Sequence, residues 1–185
     1  MHATLDFAGY QHYETSAYAK PGWQCAHNAN YWRFGDYLGI GAGAHSKLSF
    51  ADRIVRQLRW KQPKQYLDNI AQSRPLQEEV EVTRDDVGFE FILNALRLTA
   101  GVPAALFAER TGYPLSLVAV GLEAATRKGL LESDPASLRP TELGRRFLND
   151  LQTLFLNNPA SGSARTRSAP EVAPLVRIEA TGIER

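Results

Sequence analysis

From residue 86 onward the apolar residues follow a helical period, and this constrains the fold more than any other feature. Phe89, Ile92, Leu93 and Leu96 fall at i, i+3, i+4 and i+7, which lines one face of a helix. Asp85 or Asp86 can cap its start, and Gly101-Val102-Pro103 stops it. A short helix over 104–110 is closed by Gly112. Pro114 and Leu115 open a third helix, with Leu115, Val118 and Leu122 on one side and Lys128-Gly129 at its end. Two short extended pieces, 130–132 and 138–139, flank the turn signal Ser133-Asp134-Pro135. A last helix from Thr141 would set Leu143, Phe147, Leu151 and Leu154 on one face. Three helices, a small hairpin and a further helix make a winged-helix outline.

Upstream the pattern is different. Residues 53–60, RIVRQLRW, alternate, with Ile54, Leu58 and Trp60 on one side. They read as a strand with one buried face, although Arg56 interrupts the apolar side. Pro63 ends it, and residues 64–72 suit a short helix. Residues 1–50 lack helical periodicity and read as irregular backbone with short extended pieces. The segment from Asn157 is small and polar and reads as a disordered tail.

The 185 residues suffice for one core, or one core and an appendage. A net charge of +1 creates no global field toward nucleic acid or a membrane. Cys25 is the sole cysteine, so neither an internal disulfide nor a multi-cysteine metal site is available. The absence of a signal-peptide pattern and of an apolar run near the roughly 20 residues of a bilayer span leads us to expect a soluble, cytoplasmic protein.

The stretch CAHNANYWRFGDYLGIGAGAH, residues 25–45, is dense in aromatics, glycine and histidine. Gly39–Ala44 formally matches G-x-G-x-x-A. The region about 20 residues later is basic, where a dinucleotide fold needs an acid. Those glycines can equally let backbone pass close to another element. His27 can ligate iron, with flat aromatics lining a porphyrin-sized cleft, or be a hydrogen-bonded loop residue with Tyr31 and Trp32 as core aromatics. Cys25 reads as a small buried residue. Glu14 and Asp36 could form a carboxylate pair. The basic run Arg53, Arg56, Arg59, Lys61 and Lys64 could meet phosphate or propionate groups, or be the solvated face of an edge strand.

Residues 9–46, with Tyr13-Glu14, Lys20-Pro21-Gly22 and GIGAGAH, resemble the end of the catalytic domain in HemW-type radical-SAM heme chaperones, relatives of oxygen-independent coproporphyrinogen III oxidase. FEFILNALRL and LRPTELGRRFLNDL resemble that family's C-terminal domain. The resemblance implies an α+β chain, the C-terminal fragment of a radical-SAM partial barrel followed by a helical winged-helix-like domain. The implied boundaries are 1–50 for the barrel piece, 51–85 for a strand and connector, 86–156 for the winged-helix-like domain and 157–185 for the tail. HNANYW is similar to the H-N-x-x-Y-W motif of the chaperone branch. It implies that His27 is the heme-iron ligand, with Asn28, Tyr31 and Trp32 shaping its surroundings, and that Gly41 and Gly43 lie near the S-adenosylmethionine position. The implied partners are heme, a heme-acceptor protein and an N-terminal barrel polypeptide, with nucleic acid disfavoured. Family members also carry a 4Fe–4S cluster on three cysteines, which one cysteine cannot hold. Enzymatic activity is therefore not expected of this chain in isolation. The alternatives are a fragment of an oxidase-like enzyme of porphyrin biosynthesis and a winged-helix DNA-binding regulator.

Overall fold

A computed structural model describes residues 2–156, so the expectation for the tail lies outside the described residues. The architecture is α+β. Helix α1 (His2–Phe7) leads into an antiparallel hairpin of β1 (Gln11–Glu14) and β2 (Ala17–Ala19). Helix α2 (Ala26–Trp32) comes next. Strands β3 (His45–Ser49), β4 (Ile54–Arg59) and β5 (Leu76–Glu81) then form an antiparallel sheet with β4 in the centre, and α3 (Pro63–Ala71) joins β4 to β5. The remainder is α4 (Arg84–Ala95), β6 (Val102–Pro103), α5 (Ala105–Thr111), a 3-10 turn (Leu115–Val118), α6 (Ala119–Arg127), β7 (Ser137–Leu138), α7 (Glu142–Arg146) and α8 (Leu148–Thr153).

Helix α4 organises the core. Thr83 caps it: its Oγ1 accepts from the Asp86 N–H at 3.3 Å and donates to the Asp86 carboxylate at 2.6 Å. Asp85 and Asp86 place negative charge at the positive end of the helix dipole. The buried side chains of α4 are Val87, Phe91, Ile92 and Ala95, followed by Leu96. The stripe read from sequence is therefore rotated: Ile92 and Leu96 are buried, Phe89 is half-buried, and Leu93 is 40% exposed. The reason is that α2, α5, α8 and the 3-10 turn all touch α4, so its apolar surface is broader than one stripe.

The Phe91 ring is fully buried between two others. Phe34 meets it edge-on at 5.7 Å between centroids, and Phe107 at 5.0 Å. Phe34 follows α2 with φ of 56°, a left-handed conformation rare for a bulky residue. Such a backbone costs about 1–3 kcal/mol. Burial of the ring, which is 1% exposed, offsets it.

Several local expectations change in three dimensions. The HNANYW stretch is helical as α2 rather than irregular. Strand β4 is central rather than an edge, since β5 pairs along its second side. The sequence LQEEVE of β5 hides this strand because it is exposed along nearly all its length and lacks alternation. The final helix breaks at Phe147 into α7 and α8, leaving Leu143 and Phe147 about half exposed. Helix α4 ends at Ala95, with Leu96 at its cap, ahead of Gly101-Val102-Pro103, and Val102 and Pro103 pair with Leu138 and Ser137. Residues 130–132 and 139–140 do approach, through a Leu131–Pro140 bridge and a bond from the Glu132 N–H to the Arg139 carbonyl.

Removing the central ring tests this account. Phe91→Ala should lower stability by about 3–5 kcal/mol in urea unfolding, whereas Val120→Ala, at a residue 83% exposed, should change it by under about 0.5 kcal/mol.

Candidate functional site

Helix α2 carries the four motif residues on adjoining faces. A seven-residue helix is marginal alone, so tertiary contacts must hold it. His27 and Tyr31, four residues apart, share one side, and their rings meet edge-on at 4.7 Å. His27 is exposed, and Tyr31 is half-buried. Asn28 and Trp32, both half-buried, share the neighbouring side. The helix is closed by Asn30, whose amide donates to the Asp36 carbonyl at 2.8 Å. Gly35 packs so tightly there that a Cβ would lie 1.9 Å from the Asn30 side-chain oxygen.

A chain of contacts runs from the core to His27. Glu90 on α4 holds Arg56 of β4 through its Nε and a second guanidinium nitrogen. Arg56 donates a further N–H to the Tyr37 hydroxyl at 2.9 Å. The Tyr37 ring lies 4.1 Å from that of Tyr31, tilted by 30°, and Tyr31 meets His27. Burial pushes the Tyr37 hydroxyl pKa above its ordinary value despite Arg56, so it stays protonated. Burial alone would lower the Arg56 pKa, but Glu90 outweighs it and holds the guanidinium charged. Sequence reasoning did not assign Tyr37 or Glu90 to the site, and named Arg56 only within a basic run that could meet phosphate or propionate groups. The signal present was Arg56 itself, a charge on the apolar side of an alternating strand.

A second cluster anchors the turn after α2. Lys47 is 1% exposed, and its ammonium donates to the Phe34 carbonyl at 3.1 Å, Asp36 at 2.9 Å and the Ser49 hydroxyl at 3.0 Å. It also lies 4.2 Å from the Phe34 ring centroid. All three protons are used, which satisfies a buried charge. Burial lowers the Lys47 pKa, against the opposing pull of Asp36. Burial would raise that of Asp36, but hydrogen bonds from Lys47 and Ser49 prevail and hold it below its ordinary value.

The candidate carboxylate pair does not form. Asp36 belongs to Lys47, while Glu14, 2% exposed, accepts from Arg97 at 3.2 Å and from Ser16. Cys25 is exposed at the start of α2 rather than buried. Among the described residues no group of three His, Cys, Asp or Glu side chains could hold a metal ion. A 4Fe–4S cluster on three thiolates does not fit a chain with one cysteine.

Gly41 and Gly43 sit at a turn with φ of 100° and 71°, a backbone that favours glycine. Gly43 meets the end of β4: its N–H donates to the Trp60 carbonyl at 2.8 Å. The basic run is largely spent locally. Arg53 pairs with Asp52, Arg56 with Glu90 and Lys64 with Asp68, and Arg59 donates to the Gly39 carbonyl.

On the other side of α2, Trp32 borders a cleft of about 610 Å³ that His27 does not line. The Arg97 guanidinium stacks 4.3 Å from the Trp32 ring. Among the described residues, Trp32 Nε1 and Arg97 Nε are buried without a hydrogen-bond partner. Each such group costs about 1–3 kcal/mol.

Residues 82–147 match the family described as the HemN C-terminal domain. Over 156 residues the chain is 45% identical to the heme chaperone HemW of Escherichia coli and 47% identical to that of Haemophilus influenzae, covering 84% of this chain and 40% of each relative. The solved structure of coproporphyrinogen III oxidase (HemN) from Escherichia coli, a radical SAM enzyme, matches with a TM-score of 0.58 at 20% identity, over 83% of this chain and 38% of that one. The family resemblance read from the sequence therefore holds. The fold is that of the C-terminal part of HemN, and the chain is a relative of the HemW proteins that spans about 40% of their length. Among the described residues no helix is long and apolar enough to cross a membrane.

The Lys47–Asp36 cluster makes a pH prediction. The folded Asp36 carboxyl titrates below its ordinary value of 3.8, so its contribution is complete above that pH and disappears as pH falls through the folded pKa. The melting temperature should drop more steeply between about pH 5 and pH 2 for the native sequence than for Asp36→Asn.

Proposed function

We propose that this chain is the heme-handling C-terminal part of a HemW-like chaperone, with heme as cargo and a heme-acceptor protein as its destination. The observation that carries the reading is the similarity to proteins named heme chaperone HemW, 45–47% identical over 156 residues, 84% of this chain. In this reading His27 is the iron ligand. Its exposure leaves the imidazole open to a macrocycle, and a neutral ring nitrogen donates its lone pair to the iron. Tyr31 flanks the ring, and Tyr37, Arg56 and Glu90 fix Tyr31 in turn. Asn28 and Trp32 shape the adjoining surface. No bond of the porphyrin is made or broken, so transfer depends on ligand exchange at the iron.

Residues 1–50 then serve as the terminal piece of a radical-SAM barrel, 51–85 as strand and connector, and 86–156 as a winged-helix-like domain. Exposed Trp23, Leu38, Ile40 and Phe50 suit contact with the barrel polypeptide of a complete protein. Gly41 and Gly43 enter the reading as the turn beside which S-adenosylmethionine would lie in such a protein. The cluster belongs to that missing part, since one cysteine cannot hold it.

Oxidase-type chemistry on a porphyrinogen has less support. The likeness to the oxidase is one of fold, at 20% identity. A DNA-reading role is also weaker, because α6 offers Arg127 only in its last turn.

Titration of the chain with heme, followed at the Soret band, should show saturable one-to-one binding. His27→Ala should shift the band and weaken binding by about tenfold or more. Superimposable titrations of the two proteins would reduce His27 to a surface residue and end the reading.

A further inference from the structure

The cleft beside Trp32 contains three arginines, Arg97, Arg145 and Arg146, against one acid, Asp150. Glu14 answers part of the Arg97 charge. Among the described residues, Arg145 and Arg146 have no carboxylate partner, so the cleft keeps an excess of positive charge. Among the described residues, two N–H groups of its lining residues, on Trp32 and Arg97, are buried without acceptors. The remaining wall includes Trp32 and Phe147, the latter 48% exposed. An apolar wall beside guanidinium groups matches a ligand with a flat apolar body and an anionic edge. Guanidinium forks suit carboxylates because they offer parallel N–H donors in the plane of the acceptor oxygens. The volume lies within the usual range of small-molecule sites.

We infer that this cleft is a carboxylate-binding site that takes the propionate edge of a tetrapyrrole, through its lining residues Arg145 and Arg146 and through Arg97 stacked on Trp32. The inference rests on the heme-handling reading for the identity of the ligand, but it assigns a different set of residues. The motif helix then works on two sides: His27 and Tyr31 face one way, while Trp32 forms part of the anion cleft. Binding through carboxylates needs no iron, so a metal-free porphyrin addresses this cleft without addressing His27.

Titrate the full chain with protoporphyrin and with its dimethyl ester, following porphyrin fluorescence. The diacid should bind about tenfold or more tightly than the ester. The double variant Arg145→Gln/Arg146→Gln should lose that preference while binding the ester as before, and Arg145→Lys/Arg146→Lys should retain part of it. The single Arg146→Gln, at an exposed position, guards against a folding defect and should give an intermediate loss. His27→Ala should leave the diacid preference intact. Equal binding of diacid and ester by the native sequence, no porphyrin binding at all, or an unchanged preference in the double variant would each overturn the cleft. If the diacid preference follows the arginines while His27→Ala leaves the heme Soret titration unchanged, the cleft stands and iron ligation by His27 falls.

Discussion

The left-handed turn at Phe34 joins the motif helix to the core. Its ring enters the stack with Phe91 and Phe107, and its carbonyl receives the buried ammonium of Lys47. The two features support each other through that contact. A bulky residue with positive φ needs a large burial term to persist, and a buried lysine needs every proton bonded. Strand β3 supplies Lys47 and Ser49, the segment after α2 supplies Asp36, and α4 supplies the central ring. The exit of α2 is thus fixed from the sheet and from the helices at once.

That anchoring explains how so short a helix can present chemistry. Its seven residues lack a side-chain cap, so intrinsic stability is low. Instead its surfaces are gripped by neighbours: Tyr37 against Tyr31 on one side, Arg97 against Trp32 on the other. The grip reaches back to α4 on both sides, through Glu90 and Arg56 to Tyr37, and through Arg97 just past the end of that helix. His27 remains exposed at the rim while the residues behind it are held.

The carboxylates of the first fifty residues show why composition misleads about catalysis. Glu14 and Asp36 are available in sequence for acid–base work as a pair. In the structure each neutralises its own cation, Arg97 and Lys47, at separate points of the scaffold. Their roles are architectural. Glu14 closes the hairpin onto residues 97–99, where the Thr15 and Thr99 N–H groups also bond across.

Sequence by itself determined the helical character of α4, α5 and α6, the strand around Ile54–Arg59, the turn glycines and the resemblance to HemW-type proteins, because periodicity, breakers and a dense motif are local signals. Tertiary structure decided the rest. Strand β5 carries no alternation because it is exposed nearly throughout, and pairing with β4 alone makes it a strand. The helical state of HNANYW depends on contacts from residues far along the chain. Arg56 reads as an interruption until Glu90, thirty-four residues away, is seen to neutralise it. The arginine cleft is invisible in one dimension, since Trp32, Arg97 and Arg145 come to line one cleft only when α2 and α8 pack on α4 and α7 on α8. Local pattern fixes which backbone states are favourable; which charges and rings finally face each other depends on packing between distant elements, where the electrostatic and apolar terms are settled.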